Sequence, residues 1–233
     1  MTWVKICGIT NLEDALTAVD AGADALGFVF HESSPRNITP KAAGVITSQL
    51  PPSVEKVGVF VGHSGDKLID VAWLAGLTAF QIYPVFEVGP SVQEQKAYGM
   101  GCFPHPPKVF VALPAARLVN GSLRADFSLP ANAPRPNGFY DTVFLDSGTP
   151  QQPGGTGEPF DWERAKPMVA EMSKDVKVVI AGGLTPSNVA DAIRRLKPWG
   201  VDVSSGVEKS PGKKDPEKVC AFIAAVKKAD EVG

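Results

Sequence analysis

The sequence predicts an α/β fold, a single (β/α)8 TIM barrel, on three observations. Short apolar β-type runs alternate with amphipathic helical segments along the chain. Eight such runs can be placed, with about seven helices between and after them. The length of 233 residues is close to the roughly 250 typical of such a barrel. Parallel strands need long crossover connections, usually helical, and the intervals between the runs supply them. No linker divides the chain, so residues 1–233 read as one catalytic domain.

Trp3 to Cys7 is the first strand, and Asn11 caps a helix from Leu12 to Ala21 that Gly22 ends. Ala25 to Phe30 is the second strand. Thr39 and Pro40 give a cap and a first-turn proline to a helix reaching about Leu50. Val57 to Val61, Ala79 to Tyr83 and Val109 to Leu113 are strands three to five, with helices at about Asp66 to Ala75 and Ser91 to Tyr98. Residues 114–138 carry Pro114, Pro130, Pro134 and Pro136 without a sustained apolar period, which predicts an irregular connection replacing much of the fifth helix. Thr142 to Asp146, Val176 to Ala181 and Val201 to Ser204 complete the strands. Helices follow at Trp162 to Met172, at Pro186 to Leu196, and from the Asp215 cap through Pro216 to about Ala229.

Composition narrows the function. Hydrophobic residues make up 44% and charged residues 21%, values of an ordinary globular chain. A net charge of -2 gives no global attraction to nucleic acid or acidic lipid, so a bound phosphate has to be held by local geometry. Cys7, Cys102 and Cys220 are far apart and odd in number, which fits a reducing compartment better than a disulfide framework. The N-terminus runs straight into a strand and no apolar run approaches a bilayer's span, so the expectation is cytoplasmic. His31, His63 and His105 are scattered and Cys102 with His105 makes a single pair, so no metal is expected.

A barrel gathers its active site at the carboxyl ends of its strands. Cys7 ends the first, where a thiol either packs as a small hydrophobe or serves as a base beside Gly8, which lets a substrate reach the backbone. Asp146 ends the sixth, either as a loop cap or as a general acid in a pocket mouth where burial favours its protonated form. Glycines at 154, 155 and 157, the Ala181-Gly182-Gly183-Leu184 run and Ser204-Ser205-Gly206 suit turns singly. Together, in the loops where barrels bind phosphate, they suit an anion site. Arg36, in Ser34-Pro35-Arg36, is either a solvated arginine or a bidentate partner for a substrate carboxylate.

These residues resemble the phosphoribosylanthranilate isomerase family of tryptophan biosynthesis. The resemblance rests on Lys5-Ile6-Cys7-Gly8-Ile9-Thr10, Gly27-Phe28-Val29-Phe30, Ser34-Pro35-Arg36, Val57-Gly58-Val59-Phe60-Val61 and Leu145-Asp146. It continues through Gly154 to Gly157 with Phe160-Asp161-Trp162, Ala181 to Leu184, and Val201-Asp202-Val203-Ser204-Ser205-Gly206-Val207-Glu208, in the family's order. It implies a cofactor-independent Amadori rearrangement of N-(5-phosphoribosyl)anthranilate to 1-(2-carboxyphenylamino)-1-deoxyribulose 5-phosphate. Asp146 would be the acid and Cys7 the base, with Arg36, Gln81 and Tyr83 lining the substrate site and Gly155, Gly183, Ser205 and Gly206 binding phosphate. The implied partner is the small phosphosugar-anthranilate substrate, not nucleic acid or membrane, and the implied assembly is a monomer or homodimer.

Two departures stand out. Gln81-Ile82-Tyr83-Pro84 replaces the family's usual Gln-Leu-His-Gly, putting Tyr83 where a histidine lines the pocket, and the segment from Pro114 to Asn137 differs from the usual fifth connection. A histidine-pathway isomerase or a dual-substrate relative would share the fold but place an aspartate at Cys7. A catalytically silent ligand-binding barrel is the reading that Tyr83 suggests from another class.

Overall fold

The computed structural model describes residues 1–61, 65–83, 107–115, 141–147 and 159–232. Eight strands close into one barrel in chain order: β1 (Trp3–Cys7), β2 (Ala25–Val29), β3 (Glu55–Val61), β4 (Ala79–Tyr83), β5 (Lys108–Pro114), β6 (Thr142–Asp146), β7 (Lys177–Ile180) and β8 (Gly200–Val203). All adjacent pairs are parallel. The seam joins β1 to β8, with Lys5 opposite Asp202 and Ile6 opposite Val203.

Each strand is buried on both faces, and the period of two sorts its side chains into two cores. One phase, with Ile6, Leu26, Phe28, Phe60, Phe80, Leu145, Ile180 and Val203, packs outward against the helices. The other fills the barrel with Cys7, Val57, Val59, Tyr83, Phe110, Phe144 and Val179. Trp3 plugs the amino-terminal end, edge-on to Phe110 and Phe144 at 6.2 Å and stacked on Trp199 at 5.1 Å. Since inward positions alternate, Lys5 and Cys7 share the interior of β1, as Gln81 and Tyr83 share that of β4.

The described helices are α1 (Leu12–Ala21), α2 (Pro40–Thr47), α3 (Gly65–Ala75), α4 (Trp162–Met172), α5 (Val189–Leu196) and α6 (Pro216–Val232). Asn11, Thr39 and Asp161 cap α1, α2 and α4 by accepting from Asp14, Ala42 and Arg164 backbone N–H groups, and Gly22 closes α1 at φ 106°. Most element ends fall within a few residues of the sequence expectation, and two of the shifts have a clear physical reason. Helix α5 begins at Val189 and not at Pro186, because Asn188 turns its side chain to Thr185 N–H and the Gly183 carbonyl instead of capping. Helix α6 runs past Ala229 because Asp230 is tied to Thr2, accepting from its N–H at 2.7 Å and its hydroxyl at 2.6 Å.

An element not expected from sequence follows β8: a 3₁₀ turn, Ser205–Val207, then an antiparallel pair, β9 (Glu208–Ser210) and β10 (Lys213–Lys214). The expected helix at 91–98 lies outside the described residues, as does the proline-rich connection beyond Pro114 and Ala115. Among the described residues, no helix is long and apolar enough to cross a membrane.

Candidate active site

Cys7 ends β1 inside the barrel, buried, with Gly27 of β2 opposite it. The following Gly8 turns the chain at φ 79°, and a Cβ there would lie 2.6 Å from Arg36 Cδ and 2.9 Å from Ser204 Oγ. Only glycine permits both that backbone angle and that approach. One turn of pleat below Cys7, Lys5 is fully buried and its Nζ donates to Asp202 Oδ1 at 3.0 Å across the seam. That ammonium also lies over the Phe144 ring, 5.4 Å from its centroid. Burial opposes the charge on Lys5, yet Asp202 and Cys7 together raise its pKa above the ordinary lysine value. Burial pushes the Cys7 thiol up, while Lys5 and Lys214 pull it down and Asp202 adds to the rise.

Across the mouth, Asp146 ends β6 and is buried. The Tyr83 hydroxyl, at the end of β4, donates to Asp146 Oδ2 at 2.8 Å and accepts from Gln81 Nε2 at 3.3 Å. Burial, reinforced by the charges of Asp146 and Asp202, holds the Tyr83 phenol well above its usual pKa, so it stays a neutral donor. Gln81 Oε1 is buried without a hydrogen-bond partner, an acceptor facing the interior of the site.

Arg36 reaches the same mouth from the loop after β2. Its Nε and Nη2 grip Glu208 Oε1 and Oε2 at 2.9 and 2.8 Å, a two-pronged pair. Glu208 also accepts from Lys214 Nζ at 3.0 Å, and Lys214 Nζ donates to the Ser204 carbonyl at 3.1 Å. Burial opposes the charge on Glu208, but Arg36 and Lys214 outweigh it and hold its carboxyl below the usual range. The sequence placed Arg36 against a substrate carboxylate. The structure gives that guanidinium an internal carboxylate first, leaving part of its five-donor fork for a ligand.

Gly182 and Gly183, after β7, take φ of 79° and 66°. Gly206, in the turn after β8, packs so closely on the Leu184 carbonyl that a Cβ would collide with it. The loops carrying Gly183 and Ser205-Gly206 are thus side by side, as an anion cradle requires, while Gly155 lies outside the described residues.

Sequence reasoning singled out Cys7, Asp146, Arg36, Gln81 and Tyr83, and the structure brings these to the carboxyl ends of the strands and the loops beyond them. It missed Asp202, Glu208, Lys214 and the part played by Lys5. The available signal was phase: Lys5 is a charge inside an apolar strand, two residues from Cys7 and so on its face, and Asp202 is a charge inside the apolar run of β8. A cavity of about 430 Å³ lined by Asp141, Lys177 and Trp199 lies at the opposite, amino-terminal end of β6 and β7 and is not part of this site.

Comparison with known proteins agrees with this geometry. The family model described as "N-(5'phosphoribosyl)anthranilate (PRA) isomerase" matches residues 4–87 and 122–225. The N-(5'-phosphoribosyl)anthranilate isomerase of Citrifermentans bemidjiense is 45% identical, over 98% of each chain. The crystal structure of phosphoribosyl anthranilate isomerase from Thermotoga maritima superposes with a TM-score of 0.78 at 37% identity, covering 98% of this chain and 100% of that one. Another solved structure, of a phosphoribosyl anthranilate isomerase in complex with reduced 1-(o-carboxyphenylamino)-1-deoxyribulose 5-phosphate, matches with a TM-score of 0.75 and 35% identity over 98% and 100% of the two chains. With sequence and fold matching over nearly its whole length, the chain belongs to the N-(5'-phosphoribosyl)anthranilate isomerase family.

Proposed function

We propose that this barrel isomerises N-(5-phosphoribosyl)anthranilate to 1-(2-carboxyphenylamino)-1-deoxyribulose 5-phosphate, with Asp146 as general acid and Cys7 as general base. The observation that carries the reading is the match to isomerases of this name over 98% of both chains. Its chemistry fits the side chains present.

Protonation of the furanose ring oxygen by Asp146 opens the ring as the anilino nitrogen forms a C1=N iminium. The iminium acidifies the C2 proton, which Cys7 thiolate removes, and the electron pair of the broken C–H bond neutralises the nitrogen to give an enolamine. Protonation at C1 and loss of the 2-hydroxyl proton give the ketone. One cycle leaves a proton on Cys7 and a negative charge on Asp146, so these two must exchange protons with solvent before the next.

The remaining residues position the substrate. Arg36, steadied by Glu208, offers its remaining donors to the anthranilate carboxylate. The bare Gln81 Oε1 suits a substrate hydroxyl, since a buried acceptor left unpaired costs about 1–3 kcal/mol. Gly183, Ser205 and Gly206 take the phosphate through backbone N–H groups. Tyr83 supports a working acid site more than a silent one, because its hydroxyl is spent on Asp146 and does not block the mouth with an unmatched polar group.

The test is turnover of N-(5-phosphoribosyl)anthranilate by the purified protein, followed by the loss of anthranilate-type fluorescence. Cys7→Ser and Asp146→Asn should each remove most of kcat while substrate binding persists. Folded protein without turnover sinks the reading.

A further inference from the structure

We propose that Lys5, anchored by Asp202, is the positioning residue that lets Cys7 carry negative charge. The inference rests on the reading of Cys7 as the base.

Three strands set the arrangement. Lys5 and Cys7 are two apart on β1 and therefore project into the barrel on one face. Register places Asp202 of β8 opposite Lys5, and Gly27 of β2 opposite Cys7. A Cβ at Gly27 would lie 2.7 Å from Cys7 Sγ and 3.0 Å from Lys5 Nζ, so the ammonium and the sulfur converge on the space that this missing side chain leaves. Phe144 lies beneath the ammonium, and Lys5, Cys7 and Phe144 are all buried, where water screens charge only weakly.

The surrounding charges point the same way. Cys7 faces Lys5 on its own strand, Asp202 on β8, Lys214 on β10, Arg36 beyond β2 and Tyr83 on β4. Arg36 and Lys214 both lean on Glu208, and Lys5 on Asp202. Tyr83 is neutral. Among the described residues three cations thus meet two anions, Asp202 and Glu208, an excess of positive charge whenever the proposed acid Asp146 holds its proton. A Cys7 thiolate neutralises it. Lys5 is the strongest influence drawing the thiol's pKa down against burial. Asp202 acts in two opposed ways: it fixes Lys5, and its own charge repels the thiolate.

That opposition supplies a test that a merely structural role would not pass. The full chain is labelled with [¹³Cβ]cysteine, and the Cys7 resonance, assigned by its loss in Cys7→Ser, is titrated without substrate. Lys5→Met should raise the thiol midpoint by about one pH unit or more, the usual size for a nearby opposite charge. Asp202→Asn should lower it, and Lys5→Arg should stay near the parent. The limb of the kcat/KM profile governed by Cys7 ionisation should move with the midpoint, in the same direction, in each folded variant. Midpoints that stay put, or that move the same way in Lys5→Met and Asp202→Asn, overturn the proposal. If Lys5→Met does not fold, the Asp202→Asn and Lys5→Arg titrations still decide it by sign. Turnover retained in Cys7→Ser overturns the base assignment alone, because the thiol midpoint is read without catalysis.

Discussion

Tyr83 donates a 2.8 Å hydrogen bond to Asp146 Oδ2, joining the carboxyl ends of β4 and β6 across the barrel mouth. The contact fixes the direction of the proposed acid. Tyr83→Phe keeps the ring and removes the donor. Since small misplacements of a reacting group cost on the order of 10²-fold in rate, kcat should fall about 10- to 100-fold with KM changed much less. Steady-state kinetics decides it, and an unchanged kcat assigns the orientation of Asp146 to some other group. Tyr83→His, which keeps a hydrogen-bond donor at this position, should keep more activity than Tyr83→Phe.

Glu208 holds Arg36 and Lys214 together, and its loss should be felt first in stability. Removing one partner of a buried ion pair typically costs about 3–5 kcal/mol, so Glu208→Gln should lower the urea midpoint markedly. The pH dependence has a definite sign. Glu208 has a lowered pKa when folded, so its contribution is fully present above the unfolded glutamate value of about 4.3 and is lost as pH falls through the folded value. The stability gap between parent and Glu208→Gln should narrow over that acid range. A gap that is constant with pH shows that Glu208 is not selectively ionised by folding.

Because Gly206 sits against the Leu184 carbonyl, a single methyl group tests the phosphate cradle. Gly206→Ala must push the two loops apart, at a typical overpacking cost of about 1–3 kcal/mol. KM for the phosphorylated substrate should rise, and inhibition by inorganic phosphate should weaken in parallel. A higher KM with phosphate inhibition intact places the phosphate elsewhere.

Gly27→Ala probes the convergence of Lys5 and Cys7 by wedging a methyl group between them. The expected result is a thiol midpoint displaced upward and a lower kcat/KM at neutral pH, in a protein with unchanged far-UV dichroism. An unshifted midpoint would mean that Lys5 does not act across this space.

The alternation of strand and helix was legible because burial on both faces gives each strand a dense apolar run, and caps such as Asn11, Thr39 and Asp161 mark helix starts chemically. The places of Cys7 and Asp146 at strand ends were legible from the apolar runs they close, whereas the roles proposed for them came only with the family resemblance. Lys5 and Asp202 were not legible, because their meaning depends on which residues of β1 and β8 stand opposite, and register between the first and last strands has no local signal. Glu208 and Lys214 were missed for a related reason: a short polar hairpin reads as a loop until its two strands are seen to pair. Asn188 looked like part of a helix beginning at Pro186, and only the folded loop shows its side chain committed to Thr185 and Gly183.

The seam between β1 and β8 also bears on how the protein is made. Lys5 and Cys7 are translated long before Asp202. Until then Lys5 has no buried counter-ion and the barrel has no closed interior in which to shelter one. Cys7 therefore passes through much of translation in an open setting, and the docking of β8 both closes the barrel and brings Asp202 opposite Lys5.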